Sequence, residues 1–244
     1  MRITILGAGD AFCSGGRRQS SYFVEAGNTC FLLDCGTTTL LALKSIGIAA
    51  EQIDFIAISH LHGDHFGGLP FLFLEYLYEQ PRSRPLLIAG PPGTEERVMA
   101  LHRAMYRELA ERGLSFPVQF HELMPGQTAT ICGVELFPFR VPHQEKDISL
   151  GYRVTAAGKA MLYSGDCGWT EDLIRYSQGT DLFICECCYF HTQVSFHMNY
   201  SQLAARRRHM GCKHLLLSHI GREVLERMQE VTLECAHDGL VVEL

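Results

Sequence analysis

No stretch of the 244-residue chain reaches 18 consecutive apolar residues, which excludes an apolar membrane-spanning helix. The N-terminus, MRITILGAGDAF, lacks a basic segment followed by a long apolar one. The expectation is therefore a soluble, cytoplasmic protein with no membrane partner. A strong excess of one charge is missing too. Lys and Arg number 21 against 27 Asp and Glu, a formal net charge of -6, too mild to mark the whole molecule as a nucleic-acid binder or as disordered. Solenoid repeats, low-complexity tracts and Pro-rich linkers are also absent, so residues 1–244 read as one domain.

What is present suits a layered globular fold. Hydrophobic residues make up 47% of the chain, enough for a substantial core. The ten cysteines are scattered, several inside apolar runs where a free thiol behaves as a small hydrophobe, which predicts reduced thiols. Cys185, Cys187 and Cys188 read as core rather than metal ligands, because adjacent strand residues point to opposite faces. Short runs rich in β-branched and aromatic residues predict strands at 2–6, 21–26, 30–34, 53–58, 86–89, 118–122, 134–141, 150–155, 159–163, 181–185, 214–217 and 240–243. Turn signals at AGNT (26–29), AAGK (156–159) and HDG (237–239) predict hairpins. Helical spacing predicts helices over 38–46, 69–78, 94–112, 171–176, 200–210 and 223–229, with Asn199 or Ser201 capping the fifth. FLFLEYLY at 71–78 is too short to span a membrane and reads as a buried helix or subunit contact. Two face-to-face sheets with helices outside are the expected arrangement.

Directly after the run ending at Ser59 comes HLHGDH, residues 60–65: three histidines and an aspartate at the end of what reads as a buried strand. Buried imidazoles and carboxylates need hydrogen bonds or metal coordination to offset lost hydration. His60 and His62 can be aimed at one cation and Asp64 and His65 at a neighbour, with Gly63, Gly67 and Gly68 permitting the tight backbone. Three further candidates stand directly beyond apolar strands: His143, Asp166 and His219. All four strand ends are expected on one rim, where layered folds place ligands.

HLHGDH, together with LLDCG at 32–36, VPH at 141–143, SGD at 164–166 and LSH at 217–219 in this order, resembles the metallo-β-lactamase superfamily over nearly the whole chain. The resemblance implies a four-layer αββα sandwich and a hydrolytic centre of two divalent ions. His60, His62 and His143 would hold the first, Asp64, His65 and His219 the second, with Asp166 bridging and Asp64 counted among the catalytic groups. Nitrogen-rich and mixed N/O ligand sets suit Zn, with Mn or Fe acceptable. Asp34 matches the position that orients the histidine loop.

Two stretches resemble the ribonuclease Z branch: LGAGDAFCSGGRRQSSY at 6–22 and CECCYFHTQVSFHMNYSQLAA at 185–205, where Asn199 stands in place of the usual Thr. The same layout resembles the short cyclic-phosphate phosphodiesterases, which share the His-x-Asn variation, although their structural zinc site near the N-terminus has no counterpart beyond Cys13. The implied activity is a phosphodiesterase on small cyclic or linear nucleotide-like or sugar phosphodiesters. A hydroxide bridging the ions would attack phosphorus, and His197, held charged by Glu186, would protonate the leaving alkoxide. Arg17 and Arg18 are candidates for phosphate recognition; Arg206–Arg208 read as a solvated helix face. No insertion of the size of a tRNA-gripping arm is evident, which makes nucleic acid a doubtful substrate. Family resemblance alone suggests a homodimer. The alternatives are a lactonase or glyoxalase II-like thioester hydrolase, tRNA processing of the ribonuclease Z type, and a non-enzymatic metal sensor or scaffold. GAGDAF at 7–12 lacks the complete dinucleotide-binding pattern.

Overall fold

A computed structural model describes residues 1–244. Its strands, in chain order, are β1 (Arg2–Gly7), β2 (Ser21–Ala26), β3 (Thr29–Leu33), β4 (Phe55–Ala57), β5 (Leu86–Gly90), β6 (Val118–Glu122), β7 (Ala129–Ile131), β8 (Val134–Arg140), β9 (Leu150–Ala156), β10 (Lys159–Tyr163), β11 (Leu182–Glu186), β12 (His214–Ser218) and β13 (Val241–Glu243). The helices are α1 (Thr39–Ser45), α2 (Gly63–Phe66), α3 (Leu69–Tyr78), α4 (Thr94–Met105), α5 (Arg107–Arg112), α6 (Asp172–Ser177), α7 (Tyr200–Arg206) and α8 (Arg222–Leu225). One sheet runs β13-β1-β2-β3-β4-β5-β6 and the other β12-β11-β10-β9-β8-β7.

Alternating side chains decide the layers. Inward residues of both sheets, such as Ile3, Ile5, Tyr22, Phe31, Leu136, Tyr152, Val154 and Met161, form one shared core. The outward face of the first sheet, with Leu32, Ile56 and Ile88, is covered by α1, α3 and α4 through Leu43, Phe73, Tyr76 and Val98. On the far side, Leu162, Phe183 and Leu217 are covered by α6, α7 and α8 through Leu173, Leu203 and Val224. The result is the αββα order expected from the sequence.

Turn chemistry places the hairpins. β2 and β3 join through Gly27 at φ 66°, and β9 and β10 through Ala157 and Gly158 at φ 49° and 71°, the left-handed pair that a two-residue hairpin requires. The HDG turn at 237–239 is a correction: it makes no hairpin, because β13 pairs with β1 and the turn only redirects the chain to that edge. The helix expected over 94–112 breaks at Tyr106 (φ −138°, ψ 65°), whose ring packs beside the buried His102. The helix expected over 200–210 tightens into a 3-10 turn at Arg207–His209, and that over 223–229 is a short α8 plus a 3-10 turn at Met228–Glu230. Asn199 does cap α7, its side chain accepting from the N–H of Gln202.

Two tyrosines tie the sheets together beside the strand ends. Tyr152 donates to the carbonyl of Ile58 at 2.7 Å and Tyr22 to Ser218 Oγ at 2.8 Å. The backbone N–H of Leu150 reaches the Ser59 carbonyl at 2.9 Å. The ends of β4 and β12 are thereby each fixed to the opposite sheet. No helix is long and apolar enough to cross a membrane.

Candidate metal centre

The loop from β4 into α2 carries the first group of imidazoles. Ser59 Oγ donates its one proton to Asp34 Oδ2 at 2.7 Å, so at 3.0 Å it accepts from His60 Nδ1. That leaves Nε2 of His60 with a lone pair, 3.1 Å from His62 Nδ1. His143, just beyond β8, donates from Nδ1 to the Phe196 carbonyl at 2.8 Å, leaving its Nε2 3.0 Å from the same His62 nitrogen. Three ring nitrogens thus face one another with at most one proton among them.

A second group lies beside the first. Asp166, after β10, points Oδ1 at His65 Nε2 (3.2 Å) and Oδ2 at His219 Nε2 (3.3 Å), while Oδ2 also stands 3.9 Å from His143 and 4.0 Å from His60. Asp64 Oδ2 is 3.2 Å from His65 Nε2 and 3.4 Å from His219 Nε2. His65 is oriented from behind: its Nδ1 donates to Asp34 at 2.7 Å. Asp34 also accepts from the N–H of Ser59 and from Tyr163 OH. Both Asp34 (φ 59°) and His219 (φ 51°) adopt left-handed backbone, which costs energy outside glycine and is tolerated best by short polar side chains.

The electrostatics divide along the same line. Burial lowers His60, His62 and His143, the last to about 4, so these imidazoles stay neutral with lone pairs available. Burial also disfavours charge on Asp64, Asp166, His65 and His219, but mutual attraction outweighs it: the carboxyls are held down by the histidines and the two imidazoles are raised by the carboxylates. Nε2 of His65, Oδ1 of Asp166 and Nδ1 of His219 are buried without a hydrogen-bond partner. Such orphaned atoms are costly, and a donor set of imidazoles and carboxylates fits a divalent cation. The ligand atoms of His60, His62 and His143 lie within 4.8 Å of one another, as do those of Asp64, His65, Asp166 and His219. The residues present fit two adjacent ions.

Glu186, at the end of β11, is buried and accepts from Cys167 N (2.7 Å) and His197 Nδ1 (2.8 Å). His197 lines a cavity of about 270 Å³ together with His62, Asp64, His143, Asp166 and His219. Neither Arg17 nor Arg18 lines it. The guanidinium of Arg17 donates to the Ala236 carbonyl, and the backbone N–H of Arg18 to Asp238. Cys185 and Cys187 belong to the core, whereas Cys188 lines the cavity beside His219, a position that simple strand alternation did not reveal. Phe12, 84% exposed on the cavity wall, also went unread as a site residue. Arg206 lies over the Trp169 ring at 4.6 Å rather than on a purely solvated face.

The family profile described as Anti-Pycsar protein Apyc1 matches residues 1–234. The chain belongs to that family. It is 31% identical over 174 residues to ribonuclease Z of Mycobacterium sp. (strain KMS), an alignment covering 68% of this chain and 61% of the relative. It therefore spans less than two thirds of that enzyme. An uncharacterized protein of Mycobacterium tuberculosis (strain ATCC 25618 / H37Rv) is 29% identical over 226 residues, covering 90% and 81% of the two chains. Among solved structures, the short form of human tRNase Z superposes with a TM-score of 0.81 at 26% identity, over 100% of this chain and 99% of that one. The metallo-β-lactamase fold protein YhfI of Bacillus subtilis gives 0.78 at 22% identity, over 100% and 98%. The Apyc1-family chain thus has the metallo-β-lactamase fold and is related to ribonuclease Z.

Proposed function

We propose that this chain is a metal-dependent phosphodiesterase acting on small cyclic or linear nucleotide-like or sugar phosphodiesters. His60, His62 and His143 would hold one divalent ion and Asp64, His65 and His219 a second, with Asp166 between them; zinc suits the donor set best, and manganese or iron would also fit. A pair of divalent ions in such a site supplies water of lowered pKa and neutralises phosphoryl oxygens. The protein's own contribution is positional. Asp34, Ser59 and the Phe196 carbonyl hold three imidazoles in the orientation that turns their free nitrogens inward. Asp64, on the cavity wall, is placed to take a hydrogen bond from the attacking water.

The observation that carries the phosphodiester reading is the Glu186–His197 pair. With Nδ1 committed to Glu186, His197 keeps Nε2 for the cavity. Burial lowers its pKa but the Glu186 carboxylate more than compensates, so the net shift is upward, in the direction that favours the protonated ring. An alkoxide leaving phosphorus needs such a donor. The oxygen of the attacking water would bond to phosphorus as its proton passes to the Asp64 carboxylate, and the P–O bond to the leaving alkoxide would break as His197 Nε2 gives that oxygen a proton.

A ribonuclease Z-like reading draws on the relatives carrying that name, and nucleic acid stays a second candidate substrate. The segment from Gly90 to Val118 folds as α4, packed on the sheet through Val98, followed by α5 against α4, which favours a small substrate. The deciding experiment is hydrolysis of bis(p-nitrophenyl) phosphate, a lactone, a thioester and precursor tRNA by the metal-loaded protein. Turnover of the phosphodiester with loss in His197→Ala at full metal content supports the proposal. Cleavage of only the lactone or thioester moves the protein to that rival class, and inertness on all four favours a sensor or scaffold.

A further inference from the structure

Cys188 is the one sulfur in the wall of the histidine cavity, and neither group of metal-binding side chains described above uses it. One ligand atom each from Cys188, His197 and His219 lies within 4.8 Å of the other two, the same closeness that holds the other two groups together. Asp64, His65 and Asp166 do not belong to this trio, so the three side chains meet beside the second ion's ligands rather than among them.

Each member has a donor to spare. His197 gives its Nδ1 proton to the buried Glu186 carboxylate at 2.8 Å, which leaves Nε2 facing the cavity. A carboxylate behind one ring nitrogen, with the other nitrogen free, is the support that metal-ligating histidines commonly have. His219 turns Nε2 toward Asp166 (3.3 Å) and Asp64 (3.4 Å), while its Nδ1 is buried with no hydrogen-bond partner. A cation among those carboxylates would serve Nε2 and leave Nδ1 orphaned, which is costly. We propose that Cys188, His197 and His219 form a third, inhibitory site for a thiophilic divalent cation, zinc foremost. One thiolate, two imidazoles and a water complete the four-coordination that zinc prefers, whereas manganese favours oxygen ligands. Binding releases the Cys188 thiol proton and the His219 Nδ1 proton to solvent, and His219 then bridges two ions through its two nitrogens. Nothing is oxidised or reduced. The inhibitory part rests on the phosphodiesterase reading: an ion on His197 Nε2 occupies the nitrogen that would protonate the leaving oxygen.

The test starts from protein holding two zinc ions per chain and adds cobalt(II), whose near-ultraviolet charge-transfer absorption reports a bound thiolate. The signal is expected to grow with the third equivalent and to vanish in the near-isosteric Cys188→Ser. Loss of a partner that merely orients a ligand costs roughly 10–100-fold in metal affinity, so His197→Ala, which removes a ligand outright, should weaken the third ion at least tenfold. In parallel, hydrolysis of bis(p-nitrophenyl) phosphate is followed as zinc is raised beyond two equivalents, each protein being compared with itself at two. Wild-type activity should fall at least tenfold, Cys188→Ser should need at least tenfold more zinc for the same fall, and excess manganese should not inhibit. No thiolate signal at the third equivalent, or one that persists in Cys188→Ser, overturns the site. A signal that vanishes in Cys188→Ser without any loss of wild-type activity in excess zinc overturns the inhibition. A wild type inactive on the diester at two equivalents strikes the phosphodiesterase reading instead, and the cobalt signal still decides the site.

Discussion

Asp34 Oδ2 stands 2.7 Å from His65 Nδ1, and both side chains are fully shielded from solvent. The same oxygen accepts from Ser59 Oγ and Tyr163 OH, so one carboxylate sets the orientation of His65 directly and of His60 through Ser59. Asp34→Asn replaces an acceptor with a donor where three donors converge. Loss of a carboxylate that orients a ligand typically costs 10–100-fold in metal affinity. We expect that loss at the Asp64–His65–His219 group first. Competition against a chelator measures it; two ions bound as tightly as in the wild type would refute the role.

The gathering of these side chains was legible because burying several imidazoles and carboxylates is costly without mutual or metal compensation, and HLHGDH plus His143, Asp166 and His219 at strand ends is too dense a pattern for chance. The strand run from β8 to β12 was legible for a different reason: its alternate residues pack into one core or the other, so that strands such as β11 read as near-continuous apolar runs. Other features depended on contacts no local pattern carries. Arg17 sits beside the glycines of its loop, yet its guanidinium is claimed by Ala236, far along the chain. Phe12 reads as an ordinary apolar residue until Asp10 is seen to pin its loop outward. β7 is three residues long, too short for periodicity to register.

Asp166 addresses both groups of ligands, with one oxygen toward His65 and the other toward His219, His60 and His143. Its replacement by Ala should lower the bound metal from about two ions per chain to one or fewer, since a shared ligand is lost from both sites. Elemental analysis of the purified variant, with circular dichroism to establish folding, gives the count. An undiminished metal content would remove Asp166 from the bridging position.

Removing metal should also loosen the rim. An ion present at a hundredfold over its Kd stabilises the fold by about 2.7 kcal/mol, which for a chain of this size corresponds to about 5–10 °C in Tm. Thermal melts before and after chelation, and again after adding zinc, should show this drop and its reversal. Identical melts would mean that the neighbouring imidazoles and carboxylates satisfy one another without a cation.

His197 and Glu186 predict a pH dependence of definite sign. Burial lowers the His197 pKa, the Glu186 hydrogen bond and charge raise it by more, and the net result lies above the ordinary histidine value. A group raised in this way is protonated at low pH and loses its proton as pH climbs through the raised pKa. Activity that needs His197 as an acid therefore falls on the alkaline side. Glu186→Gln removes the compensating charge, so that limb should move to lower pH with metal content retained. A limb that stays in place would assign it to another group.

The last expectation concerns how that histidine is held. Gly168 follows Cys167, whose N–H binds Glu186, and a Cβ at Gly168 would stand 1.8 Å from the carbonyl oxygen of Ser195. The obstacle is backbone, so it cannot swing aside as a long side chain would. Gly168→Ala must displace the loop through Ser195, Phe196 and His197, and with it the Phe196 carbonyl that accepts from His143 Nδ1. Misplacing a reacting group by about 1 Å can cost on the order of 10²-fold in rate. The expected outcome is a drop in kcat of that order with a smaller loss of metal at the His60–His62–His143 group. Because Gly168 does not line the cavity, full activity in Gly168→Ala would mean that the loop has room to relax and that the His197 position is less constrained than its packing implies.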